Sequence, residues 1–163
     1  MVSKLKYHIY CELTKDRPAD APPIEFHDAP RSVPDFVMDL IQKERSSFYF
    51  INLSTVVDKY LLWKKKLPRA EPFYAVKSNP DPQIVETLFH LGAGFDCASK
   101  GEIQQVLSMG CDPSRIIFAN PCKHPDHILF AKENGVAMMT FDNMAELYKI
   151  HEHFPEAKLV LRI

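Results

Sequence analysis

Five compact apolar runs recur through the second half of the chain at an almost fixed interval. They centre on Tyr74, Phe95, Ile117, Met139 and Val160, so the spacing is 21, 22, 22 and 21 residues. Each interval holds an amphipathic stretch of helical length, at 83–91, 100–109, 125–134 and 143–154. Three of these stretches stop at a glycine, Gly92, Gly110 and Gly135, as helices with a left-handed C-terminal residue do. Strand-like runs alternating with helices predict crossover units on a parallel sheet, and unbroken rather than alternating apolar runs predict strands buried on both faces. Two α/β architectures use such units, the doubly wound open sheet and the eight-fold βα barrel. The constancy of the interval favours the barrel. So does the absence of GxGxxG or GxxxxGK[ST] after any strand, the loops that cradle nucleotide phosphates in open sheets.

Length sharpens this expectation. The 163 residues suffice for one ordinary domain, but a barrel needs about 250. The chain is therefore expected to be the N-terminal part of a (β/α)8 barrel, with about five of its eight strands. A formal net charge of -1 offers no field for nucleic acid or an anionic membrane. No run reaches the roughly 18 apolar residues of a membrane span, and the opening MVSKLKY lacks a signal-peptide core. A cytosolic (cytoplasmic) protein is expected. Cysteines 11, 97, 111 and 122 form neither the CxxC pairs of a zinc site nor a secreted disulfide framework, so reduced thiols are the reading.

Before the repeat the text is irregular. Residues 1–34 contain five prolines (Pro18, Pro22, Pro23, Pro30, Pro34) and read as loops with short strands near 7–13 and 24–26. Pro34 and Asp35 suit a helix start, with a helix running to about Arg45. A strand-like run at 48–53 follows, and Ser54 is a suitable cap for a helix over 55–66, which Pro68 ends. The division expected is 1–45 as an N-terminal segment and 46–163 as the first part of the barrel.

In either architecture ligands are handled at the C-terminal ends of the strands. Those positions carry Lys77, Asp96, Asn120, Asp142 and Arg162. Singly, each has an ordinary explanation. Asp142 before Asn143 reads as a helix cap, Asn120 before Pro121 as a loop residue, and Lys77 as a solvated strand end. Jointly, a lysine near an aspartate and an arginine can carry an aldehyde cofactor as a Schiff base, with the guanidinium as a fixed donor to an oxyanion. His151 and His153 lie two apart on a helix and face different ways. The cluster Cys122, His124, Asp126, His127 has no complete ligand pattern, so no metal is expected. Lysines 64–66 read as a solvated face.

The run PFYAVKSN at 72–79 resembles the pyridoxal-phosphate attachment motif of the ornithine/diaminopimelate/arginine decarboxylase family. GFDCAS at 94–99, IIFANPCK at 116–123, MMTFD at 138–142 and KLVLRI at 158–163 resemble successive blocks of its eukaryotic ornithine decarboxylase branch, in order and spacing. The resemblance covers about residue 24 onward. It implies an alanine-racemase-type barrel joined to a β domain, to which residues 1–45 would belong. It also implies pyridoxal 5'-phosphate held by Lys77, with Asp96 and Arg162 near the cofactor and Arg162 facing the ring's phenolic oxygen. The reaction implied is decarboxylation of ornithine to putrescine by a homodimer. Ser78 departs from the cysteine usual in that branch. The family's phosphate loop, pyridinium partner and cross-dimer residues fall outside the matched stretch, so the chain alone is expected to be inactive. The segment 125–149 resembles the region that meets antizyme in animal members. An antizyme-inhibitor-like relative, which binds rather than catalyses, is the alternative, as is a truncated isoform acting by binding. Such inhibitors lose the aspartate and arginine that stand here as Asp96 and Arg162.

Overall fold

The computed structural model describes residues 2–15, 17, 19–21, 23–26 and 32–163. Its organising feature is a five-stranded, wholly parallel sheet of β1 (Phe73–Ala75), β2 (Gly94–Cys97), β3 (Ile116–Phe118), β4 (Met138–Phe141) and β5 (Lys158–Leu161). All five coincide with the apolar runs. Every strand bonds to the next one in sequence, giving the order β1-β2-β3-β4-β5 with no reversal. A doubly wound sheet reverses at its switch point and a βα barrel does not, so the topology is that of consecutive barrel units.

Among the described residues seven α-helices accompany the sheet: α1 (Val2–Thr14), α2 (Val33–Lys43), α3 (Leu53–Lys66), α4 (Pro82–Leu91), α5 (Lys100–Ser108), α6 (Pro125–Glu133) and α7 (Met144–His153). The four helices of the repeat start on side-chain caps. Asp81 accepts from the Gln83 and Ile84 amides, Ser99 from Glu102, His124 Nδ1 from Asp126, and Asn143 from Glu146. Satisfying these orphan amides fixes where each helix leaves its strand. Gly92, Gly110 and Gly135 have φ of 90°, 80° and 74°, the left-handed turn that reverses the chain after α4, α5 and α6. Gly94 is needed for another reason. A Cβ there would lie 2.7 Å from the Phe73 ring on the neighbouring strand.

The core lies between sheet and helices. Phe95, Cys97, Ile116, Phe118 and Met139 of the strands are fully buried against Val85, Ile103, Val106, Ile128 and Ile150 of α4 to α7. Each large side chain closed off this way contributes about 1.5–3 kcal/mol relative to exposure. At the N-terminal side of the sheet the Arg115 guanidinium donates to the Ala93 and Phe89 carbonyls, tying the end of α4 to the start of β3. Burial on both faces holds for β2 but not for β5, which is paired on one side only and leaves Leu159, Val160 and Leu161 exposed.

The earlier segment departs from expectation. Residues 7–13 are not a strand but part of α1, whose Ile9 and Leu13, four apart on one helical face, are buried. A Lys6–Asp58 ion pair of 2.8 Å joins α1 to α3. Residues 24–26 form no strand, nor does 48–53; Phe48, Tyr49, Phe50 and Ile51 are exposed and no partner strand among the described residues takes up their backbone groups. An apolar run without a ladder is only an extended segment. Among the described residues of 1–45 there are helices and no strand. Pro18, Pro22 and Pro30 lie outside the described residues. The helix from Pro34 is present as α2, one residue ahead, capped by Ser32. For α3 the cap is Asn52, which accepts from the Ser54 amide, rather than Ser54 itself.

Candidate active site

Parallel strands in register bring their C-terminal ends to one edge. Ala75 pairs with Asp96, Cys97 with Phe118, and Phe141 with Leu161. Lys77, Asn120, Asp142 and Arg162 each follow a strand by one or two residues, so with Asp96 they share that edge.

Lys77 lies in a single 3-10 turn, Val76–Ser78, whose Val76 is fully buried and anchors it. The Ser78 hydroxyl donates to the Ala75 carbonyl at 2.6 Å, and the Tyr74 hydroxyl to the Asn79 carbonyl at 3.0 Å, closing the loop on both sides. Serine at 78 thus has a backbone role that leaves the lysine beside it untouched. The Lys77 side chain is exposed and makes no hydrogen bond or ion pair among the described residues. On the adjacent strand Asp96 is half-buried and is likewise without a partner. Its neighbour Cys97 is fully buried, and burial, reinforced by the charges of Glu102 and Asp96, pushes that thiol up to about 12. Cys97 is therefore a neutral packing group.

Arg162 stands at the other edge of the sheet, where its guanidinium donates to Asp142 at 3.1 Å. Asp142 is thus an arginine partner rather than the cap of α7, a role taken by Asn143. Asn120 lies between the two pairs. Its amide group donates to the Ala98 carbonyl, and its side-chain oxygen accepts from the Cys122 amide in an Asx turn. Lys77 and Arg162 share an edge without touching. His124 caps α6, and among the described residues no group of three or more His, Cys, Asp or Glu is placed to hold a metal. The cysteines are free.

Sequence reasoning missed the most buried charges of this edge. Lys123 is 1% exposed and Glu146 3%. The Lys123 ammonium donates to Thr140 O at 2.6 Å and Asn120 O at 3.0 Å and lies 2.8 Å from Glu146 Oε1, while Lys149 Nζ sits 2.6 Å from Glu146 Oε2. Burial pulls Lys123 below its ordinary value against the attraction of Glu146. Burial alone would raise Glu146, but hydrogen bonds from Lys123 and Lys149 outweigh it and hold the carboxyl below the usual range. One signal was available. Asn143 with Glu146 three residues on is a capping-box pattern, as is Ser99 with Glu102. In the latter the glutamate reaches the Ala98 amide; in the former it turns to Lys123.

An accessible primary amine with no competing partner among the described residues, next to the strand that carries an unpaired carboxylate and on the same strand-end edge as a more distant guanidinium, suits capture of a carbonyl group carried by an anionic ligand. The comparisons agree with that chemistry. Residues 53–163 match the family described as pyridoxal-dependent decarboxylase, pyridoxal binding domain. The chain is similar to ornithine decarboxylase of Rattus norvegicus, 54% identical over 120 residues, which is 74% of this chain and 26% of that one. Among solved structures it resembles the arginine decarboxylase of Paramecium bursaria Chlorella virus (TM-score 0.74, 40% identity, 80% of this chain and 35% of that one). It also resembles ornithine decarboxylase from Entamoeba histolytica (TM-score 0.77, 32% identity, 80% and 42%). The chain spans between a quarter and a third of the length of the curated relatives it matches.

Proposed function

Because the chain belongs to the pyridoxal-dependent decarboxylase family, through its pyridoxal-binding domain, we propose that it supplies the lysine-bearing part of a site that converts ornithine to putrescine and carbon dioxide. The observation carrying this reading is Lys77, an amine at the end of β1 next to Asp96 of β2, both without a partner among the described residues. The residues fit pyridoxal 5'-phosphate: Lys77 would hold its aldehyde carbon. Once bound, the cofactor supplies an electron sink for the pair left by the departing carboxylate. The chain's own contribution is positional. Val76, Tyr74 and Ser78 fix the loop that presents the amine, Asp96 would offer a carboxylate to a cation on the adjacent strand, and Arg162, held by Asp142, would offer a planar donor to the ring's phenolic oxygen.

The retention of both Asp96 and Arg162 favours catalysis over the antizyme-inhibitor-like reading. In the same proposal a second copy of the whole protein completes the site, and antizyme meets the segment 125–149, where Leu129, Met144 and Tyr148 expose apolar surface on α6 and α7. Reduction with borohydride after incubation with pyridoxal phosphate should place the added mass on the peptide containing Lys77. With ornithine present the mass should leave Lys77 and appear on the amino acid. A label on another lysine, or one indifferent to ornithine, overturns the reading.

A further inference from the structure

The buried hub at Lys123 sits directly behind the strand ends that carry Asn120 and Asp142. An ammonium has three protons, and here each has an acceptor: the Asn120 carbonyl just past β3, the Thr140 carbonyl in β4, and Glu146 Oε1 from α7. Phe118 lies beneath, its ring centre 5.7 Å from Nζ. Glu146 also accepts from the Lys123 amide, so the carboxylate grips the residue at both ends. The links continue along the edge in both directions. Asn120 donates to Ala98 O beyond β2, and two residues after Thr140 the Asp142 carboxylate holds Arg162 beyond β5. Four of the five strand ends are thereby joined through one residue.

A buried ion pair is a poor device for stability alone, because apolar side chains of similar volume often serve as well or better. What an apolar residue cannot do is hold two strand-end carbonyls at fixed separation. We propose that Lys123 is a positioning residue, whose ammonium, by fixing the Asn120 and Thr140 carbonyls, sets where Asp142 stands and through it the direction of the Arg162 guanidinium. This rests on the cofactor reading of the same edge. A ligand whose ring oxygen faces Arg162 then feels Lys123 without touching it.

The test uses the protein incubated with pyridoxal phosphate and reads two quantities: the dissociation constant, and the pH midpoint of the bound chromophore's visible absorbance. The midpoint reports the charge beside the ring and does not move with the folded fraction. Lys123→Met, which fills the space without donors, should weaken binding about tenfold and shift the midpoint by about half a unit or more, the scale of one misplaced charged contact. Lys123→Arg, which keeps the charge, should recover part of both. A Lys123→Met protein that keeps its helical circular dichroism, the parent affinity and the parent midpoint overturns the proposal. Should that variant not fold, Asp142→Asn decides. It leaves the buried hub alone and must move the midpoint; an unchanged midpoint breaks the relay and overturns the proposal. Failure of the parent to be labelled at Lys77 is a different result and removes the underlying cofactor reading, and this inference with it.

Discussion

At the β1 end of the sheet Lys77 stands exposed with its amine bonded to nothing among the described residues, whereas two strands further along Lys123 is closed off from solvent with all three protons donated. Both lysines follow a parallel strand on the same edge. What separates them is the supply of acceptors. The loop after β3 turns back over the sheet and offers its own carbonyl, β4 offers another, and α7 offers a carboxylate. The loop after β1 closes on itself through Ser78 and Tyr74, gives its Pro80 carbonyl to Gln105, and offers the amine none. A lysine whose donors are consumed defines geometry; one whose donors are spare has capacity for a ligand.

The comparison breaks most easily at the two amines. Lys77→Ala should abolish borohydride labelling while leaving the thermal midpoint where it was, since no contact is lost. Lys123→Ala should do the reverse to stability, costing about 3–5 kcal/mol by leaving Glu146 buried beside a cavity with only Lys149 to answer it. Denaturant unfolding of both variants, followed by far-ultraviolet circular dichroism, decides. If Lys77→Ala is the more destabilised of the two, the assignment of roles is inverted.

A smaller effect sharpens the contrast through pH. The Glu146 carboxyl is held below its ordinary value of 4.5 by hydrogen bonds from Lys123 and Lys149 that outweigh burial. A carboxyl lowered in the folded state contributes stability that is fully present above its unfolded value and fades as pH falls through the folded one. Unfolding free energy should therefore decline below about pH 4.5, and the Glu146→Gln protein should show a shallower decline over the same window, measured by urea titration at successive pH values. An equal slope in parent and variant would mean that Glu146 is not held by the hub.

How much of this was legible beforehand divides along the same lines. The repeat was readable because the central apolar runs, β2 to β4, are buried against the helices between them, and because Gly92, Gly110 and Gly135 mark the turns at which only a glycine is comfortable. Lys77, Asp96 and Arg162 were singled out because strand ends are where such folds act, and the parallel sheet brings all three to one edge. The N-terminal part misled because residues 7–13 and 48–53 are apolar and short, a pattern shared by strands and by helix faces, and only the long-range partner decides between them. Ile9 and Leu13 found that partner as a helix; Tyr49 and Phe50 found no strand to pair with among the described residues and stay exposed, although the Phe50 ring meets that of Phe36. Lys123 was passed over for the same reason. Its acceptors come from Asn120, Thr140 and Glu146, three elements that no local window contains.

The weakest expected effect concerns the thiol next to Asp96. Successive residues of a strand face opposite ways, so Asp96 is half-buried while Cys97 is fully enclosed. Cys97 can react only when β2 opens, whereas Cys122, exposed beyond β3, reacts from the native state. Alkylation followed by peptide mapping should modify Cys122 and the exposed Cys11 first, with Cys97 lagging by a factor that reports the opening free energy of this part of the sheet. Because burial raises Cys97 from 9.0 to about 12, its neutral form is favoured in the fold, and the stability it confers fades as pH rises past 9. The lag should shrink accordingly in mild alkali. It should shrink further in Lys123→Ala but not in Lys77→Ala, because only the former loosens the end of β3, against which β2 pairs. Equal rates at Cys97 and Cys122 in the parent at neutral pH would show the β1–β2 end to be open, and Asp96 would then be an ordinary surface carboxylate rather than one held for a ligand.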